Sequence, residues 1–352
     1  GTTGGPYMVC TKTHFENIAD ITTYEVDAVY IIGKDIDFGG SNTTILTPFR
    51  GEIDGGKFTL KNGDSPLFDS INNNSTDEVR IHDINIENFD LSMTTTAAND
   101  SFGILANSVL EVGTGPRIEI QDMTIDAASS VVVTGTHSTI SVGGLIGYVN
   151  FSSAISDEDV YIRKITSFAS VTSTVTSNTS NSTGGLIGKM AGSVASNNAI
   201  ELCSVGFDTK DPGSFGSDRV SISGLNNVGG IVGSLVNFAE IREKVYAVTS
   251  ISNSPSNVGG IVGYVSESNI SDAKSDLDFN PKPSTTTSNV GGAVGEVDEA
   301  TSVKIDGVNT SIIITDANRG IGTYVNSLGG IVGEVNSGGF SNLEIMNSKA
   351  YI

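Results

Sequence analysis

Along most of the chain, Ile, Val, Thr and Ser gather in runs of about ten residues, and Gly, Asn, Ser or Pro marks the break between runs. The stretch after Gly229 shows this plainly, with GGIVGSLVNF, AEIREKVYAV and TSISNSPSNV following one another without a gap. Runs of this composition predict short strands joined by tight corners. No helical period of matching strength occurs in this region. The first 20 residues differ: Thr13-His14-Phe15-Glu16 fits a capping box, and Phe15 and Ile18 then share one face of a short helix. That helix is expected to cover the first apolar layer, which makes 1–30 an N-terminal cap and 31–352 a single solenoid.

The breaks are not random. Gly143-Gly144-Leu145-Ile146-Gly147-Tyr148-Val149 recurs as Gly184-Gly185-Leu186-Ile187-Gly188-Lys189-Met190, and again from Gly229, Gly259, Gly291 and Gly329. The intervals are 41, 45, 30, 32 and 38 residues, and degenerate copies lie at Phe102-Gly103-Ile104-Leu105-Ala106 and Leu67-Phe68. Three short strands per unit, each unit stacked on the last, describe an all-β, three-faced parallel β-solenoid of about nine rungs. The longer intervals then hold insertions, such as Ser177 to Thr183 and Asp208 to Asp218. A propeller blade needs four strands, and the shortest interval leaves too little chain for them.

The glycines of this unit are Gly143, Gly144 and Gly147; Gly184, Gly185 and Gly188; Gly229, Gly230 and Gly233; Gly259, Gly260 and Gly263; Gly291, Gly292 and Gly295; Gly329, Gly330 and Gly333. Their expected role is structural: close approach between rungs and sharp corners. Position six is Tyr148, Lys189, Ser234, Tyr264, Glu296 and Glu334, which suits solvent, and position seven is always Val, Met or Leu, which suits a core. Strict alternation would turn position four outward, yet it is always Ile or Val. Either a bulge at the fifth-position glycine turns these residues inward, the favoured reading, or they form an outer apolar ridge.

These residues resemble the GLUG-motif family, named for its Gly-Leu-(hydrophobic)-Gly core. Residues 143–335 carry the motif. Residues 6–70 resemble the segment that commonly precedes it, in Tyr30-Ile31-Ile32-Gly33-Lys34-Asp35-Ile36-Asp37-Phe38 and Phe49-Arg50-Gly51-Glu52-Ile53-Asp54-Gly55-Gly56. Such repeats occur in large surface proteins and adhesins, and beside the catalytic regions of bacterial immunoglobulin-A-cleaving metallopeptidases. The resemblance implies a right-handed β-helix outside the cell, and it does not imply an enzymatic activity, since the motif is a packing unit.

Charge narrows the partners. With 19 Lys+Arg against 40 Asp+Glu the net charge is −21, which disfavours nucleic acid and anionic membrane surfaces. No run of apolar residues approaches a membrane span, so no membrane insertion is expected. The start, Gly-Thr-Thr-Gly-Gly-Pro, does not read as a signal peptide, which suggests a mature form or a piece of a longer protein. The nine Asn-X-Ser/Thr sequons are about what chance gives in a Ser/Thr-rich chain.

Candidate chemistry is sparse. His14, His82 and His137 are the three histidines, and no His-Glu-X-X-His occurs. Asp35, Asp37 and Asp54 are the carboxylates whose strands could stack as in a glycan-cleaving β-helix, although all three fall in the segment that resembles the family's non-catalytic pattern. No cofactor is implied. Calcium is conceivable at two acidic loops, Asp157-Glu158-Asp159 and Asp272 to Asp278, where solvated charge is the favoured reading. The basic residues show no cluster along the chain. Cys10 and Cys203 lie some five rungs apart and are not expected to bond. The Thr runs Thr94-Thr95-Thr96 and Thr285-Thr286-Thr287 do not repeat in register.

The expected function is a non-catalytic extracellular scaffold, an adhesin stalk or binding platform. Its expected partners are flanking domains or other copies of the same protein, and a host or glycan ligand. The alternative is a filament subunit assembling through an uncapped C-terminal rung. A glycan-cleaving enzyme is the third reading.

Overall fold

The computed structural model describes residues 5–18, 27–73, 78–110, 117–151, 160–176, 180–193, 198–207, 219–253, 255–281, 288–298, 302–314, 325–336 and 343–352. The sequons at Asn74 and Asn178, the Asp208 to Asp218 insertion, the Asp157-Glu158-Asp159 loop and Thr285-Thr286-Thr287 lie outside them. The strands sort into an eight-stranded, a seven-stranded and a 22-stranded sheet, and neighbouring levels pair in parallel. This is the three-faced parallel β-solenoid. One level runs through Val232–Val236, Glu240–Arg242, Val245–Asn253 and Asn257–Gly259, four strand segments rather than three. The extra break is a corner at Glu243 and Lys244, both with left-handed backbone (φ 59° and 61°).

On the broad sheet eleven levels follow one another, from Tyr7–Val9 through Glu52–Asp54 and Val160–Ser167 to Leu343–Met346. Ten steps at ~4.8 Å make a stack about 48 Å tall. The count exceeds the nine read from the sequence partly because Tyr7–Val9, inside the expected cap, is itself a strand paired with Val29–Ile32. One inward column begins with Tyr7 and Tyr30 and is isoleucine at each of the nine levels that follow: Ile53, Ile81, Ile120, Ile162, Ile200, Ile241, Ile270, Ile305 and Ile345. All of these isoleucines but Ile345 are fully buried. A β-branched side chain fits a pleated surface and packs well on its own copy.

The repeat glycines stack on glycines whatever the interval between them, Gly143 on Gly184, then Gly229, Gly259, Gly291 and Gly329. Positions one to three turn the chain from the seven-stranded sheet into the eight-stranded one. Position three (Leu145) and position four (Ile146) are both fully buried. The ladder pairs positions four, six and seven and passes over the glycine at five, so Ile146 and Val149 both face inward. The inward reading of position four therefore holds in the enclosed levels, and no outer apolar ridge forms there.

Space, not backbone handedness, demands glycine here. At position two, a Cβ on Gly144, Gly185, Gly230, Gly260 or Gly292 would run into the carbonyl oxygen of its counterpart one level on. At position five, a Cβ on Gly147, Gly188, Gly233, Gly263, Gly295 or Gly333 would meet the backbone of the seven-stranded sheet one level back. Across the core from the position-two corner stand small or β-branched residues, Ser167, Val205, Ala247, Ser275 and Thr310. Thr310 Oγ1 donates to the Gly330 carbonyl at 2.6 Å, and Ser275 Oγ likewise to Gly292.

The short helix, Lys12–Glu16, is present, but its N-cap is Thr11, whose Oγ1 accepts from the His14 N–H at 3.1 Å. The capping box at Thr13 is thereby corrected: Glu16 instead accepts the Thr43 N–H at 2.8 Å. Phe15 and Ile18 are buried as expected, with Phe15 edge-on to Phe38 at 5.5 Å. The Asp272 to Asp278 segment is also corrected, because Ala273–Pro281 is a strand. Ala273, Ser275, Leu277 and Phe279 face inward, so the aspartates at 276 and 278 fall on the outer face by alternation. Both cysteines are free thiols; Cys203 is fully buried and its thiol pKa is pushed up to about 12 by that burial.

Gly230→Ala should lower stability by roughly 1–3 kcal/mol, the cost of forcing a methyl into a packed site. A Cβ on Gly5 would meet nothing within 4 Å, so Gly5→Ala should stay within about 0.5 kcal/mol. Urea denaturation midpoints check both.

Candidate functional site

Three features on the outer surface follow from stacking residues on the levels above and below. In the angle between the seven- and eight-stranded sheets, Asn257 Nδ2 donates to Asn227 Oδ1 (2.8 Å), Asn289 to Asn257 (3.1 Å) and Asn326 to Asn289 (3.2 Å). The position-six residues face the same angle. Ser234 Oγ lies 2.7 Å from Ser182 Oγ, Lys189 Nζ sits 5.8 Å from the Tyr148 ring centroid, and the Tyr264 hydroxyl bonds Asp298. Burial lowers the Lys189 pKa and raises that of Glu296, which stacks on Glu334. A polar hollow of about 510 Å³ results.

On the broad sheet two neighbouring outward columns form an ion ladder. Arg80 bridges Glu52 (3.6 Å) and Glu119 (3.3 Å) one level to each side. Arg163 pairs with Glu119 and donates to Gln121 at 2.8 Å, and Arg242 holds Glu201 (2.7 Å) and Glu240 (3.1 Å). The Glu119 side chain is only 2% exposed. Arg117 and Arg242 lie over the Tyr161 ring at 5.9 and 6.0 Å. At the ladder's upper end, Asp54, His82 and Asp83 offer ligand atoms within 4.8 Å of one another, the one such metal-competent group among the described residues. Hydrogen bonding already occupies it: His82 Nδ1 meets Asp83 at 2.9 Å and Nε2 meets Glu52 at 3.3 Å, while Asp54 accepts the Gly56 N–H at 2.9 Å.

Beside the ladder runs a corner of left-handed residues, at Asp83, Asp122, Lys164, Leu202, Lys244 and Asp272 (φ between 46° and 61°). Past it lies the column Asn85, Thr124, Thr166, Ser204, Tyr246 and Lys274, stacked level on level. Corner and column enclose a groove of about 770 Å³. Lys57, Lys164, Lys244 and Lys274 line it, with Asp83, Asp122 and the contacting pair Phe207 and Tyr246 (ring centroids 5.3 Å). Burial, then Asp272, raises the Tyr246 pKa.

Of the carboxylates singled out in the sequence, Asp35 accepts the Thr59 N–H at 2.9 Å and Asp37 accepts Gly39 N–H and Asn62 Nδ2, both at 2.8 Å. Asp54 stands in a different column beside His82, so the three serve separate turns and do not converge. His137 Nδ1 meets Thr95 Oγ1 at 2.9 Å. Thr94 does stack in register, on Thr134 and Thr174, a three-level column that the sequence reading lacked. The lysines of the groove are also a correction: scattered in sequence, they are gathered because each stands near the same corner.

No protein-family model matches the chain, and no curated protein matches it. A solved structure does. The chain is similar over 97% of its length to 85% of the chain of a candidate immunoglobulin A1 protease from Bacteroides ovatus, with a TM-score of 0.56 and 17% identity. A likeness at that identity shows the shared fold and nothing of the activity.

The ladder generates a prediction. Arg163→Met removes the partner of one Glu119 carboxylate oxygen, leaving Arg80 on the other, and should cost about 1.5–3 kcal/mol. The Glu119→Met/Arg163→Met pair should recover most of that loss, as read from denaturation midpoints in a double-mutant cycle.

Proposed function

We propose that this chain is a rigid, non-catalytic scaffold of a surface protein, serving as stalk or binding platform. One observation carries the reading: the residues that recur are those that stacking uses. The motif glycines, the isoleucine column and the asparagine ladder all bond or pack along the solenoid axis. The variable intervals between motifs leave room for loops without disturbing the glycine register. An architecture of this kind holds attached elements at a set spacing. The GLUG-like motif supports an extracellular setting, and the solenoid neighbour is compatible with it.

The location is directly testable. Intact producing cells are treated with a membrane-impermeant amine reagent, and the modified peptides are identified by mass spectrometry. Lys34 and Lys304, both exposed, should be modified before lysis. Modification only after lysis would contradict a surface role.

A further inference from the structure

The lysine-lined groove carries an assignment beyond scaffolding, and it stands on the groove alone. Four of the chain's 19 basic residues meet there, in a protein with a net charge of −21. The two carboxylates in the lining are already engaged. Asp83 is hydrogen-bonded to His82 at 2.9 Å, and Asp122 is paired with Lys164 at 3.6 Å. Lys57, Lys244 and Lys274 form no ion pair among the described residues, and all three are exposed. Lys274 Nζ lies 5.6 Å from the Tyr246 ring centroid, so that ammonium is held in place without being neutralised. Lys244, at φ 61°, sits on the corner itself. Residues held in that backbone region persist only where their surroundings enforce them.

The floor supplies the second half of the argument. Asn85, Thr124, Thr166 and Tyr246 present amide and hydroxyl groups in one column parallel to the axis, with buried Ser204 filling the level between Thr166 and Tyr246. Asn85 to Lys274 covers five level-to-level steps, about 24 Å. A polar floor that recurs along the axis suits a polymer that repeats, and unpaired ammonium groups suit one bearing anionic substituents. The Phe207–Tyr246 pair gives an apolar wall for the C–H face of a sugar ring.

We propose that this groove binds a linear anionic glycan, with carboxylate or sulfate groups on Lys57, Lys244 and Lys274 and sugar hydroxyls on the Asn85–Thr124–Thr166 floor. The bonds are non-covalent and no chemistry is performed.

The test is a low-salt calorimetric titration of the full chain with a linear uronate polymer, a linear sulfated glycan, and uncharged dextran of matched length. At least one anionic glycan should bind saturably, more weakly as salt rises, and dextran should not. The triple variant Lys57→Gln/Lys244→Asn/Lys274→Gln uses Asn at the corner because Asn tolerates that backbone. It should weaken binding about tenfold or more, whereas Lys304→Gln, outside the groove, should leave it unchanged. Matching denaturation curves show that the variants stay folded. The proposal is overturned if neither anionic glycan binds, if dextran binds as well, or if the triple variant binds like the parent. It also fails if single-stranded DNA displaces the glycan at equal concentration, since the groove would then read charge alone. Surface labelling and groove binding succeed or fail independently of one another.

Discussion

In a parallel solenoid every side chain lies about 4.8 Å from its counterparts one level up and one level down. Each column must therefore be filled by residues that tolerate their own company. Glycine does so by absence: at the position-two corner a Cβ would collide with the neighbouring glycine's carbonyl, so the corner closes only with none. Isoleucine does so by shape, and asparagine by chemistry, because its amide donates on one side and accepts on the other. Charged residues cannot stack like on like without repulsion. The ion ladder alternates accordingly, with Glu52, Arg80 and Glu119 in one column and Arg163, Glu201 and Arg242 in the next.

The same rule separates the inside from the outside. Inward columns are mostly apolar, and that apolarity gives the structure its core. Outward columns vary, and variation is where specificity can enter. The groove combines a backbone conformation repeated through the corner, which sets its wall, with side chains that change from level to level, which set its charge.

Which parts of this were legible in the sequence follows from the rule as well. The glycine motif was visible because seven adjacent residues recur together, and it sufficed for the fold class. The isoleucine column was hidden because its members lie 28 to 42 residues apart, with insertions of different length between them. The left-handed corner was invisible for another reason. It repeats a φ value without a constant residue type, since Asp83 and Asp122 give way to Lys164, Leu202 and Lys244. The groove lysines, drawn from four separate levels, inherit that invisibility. The helix start was misplaced by two residues because Thr11 and Thr13 both precede a plausible third position, and only the tertiary partner of Glu16, the Thr43 amide, decides between them. The Ala273–Pro281 strand was masked by its outward aspartates, whose acidity outweighed the inward Ala273, Ser275, Leu277 and Phe279.

The claim on which everything rests is that distance along the axis counts levels. Pulsed electron-spin measurements between labels at Asn85 and Asn309, in a Cys10→Ser background, test it most directly. Six pairing steps separate the two positions, so the backbone separation should be about 29 Å, and moving the first label to Thr59, one level earlier, should lengthen it by about 5 Å. A distance that stays constant or shortens on that move would contradict the stacked-level arrangement.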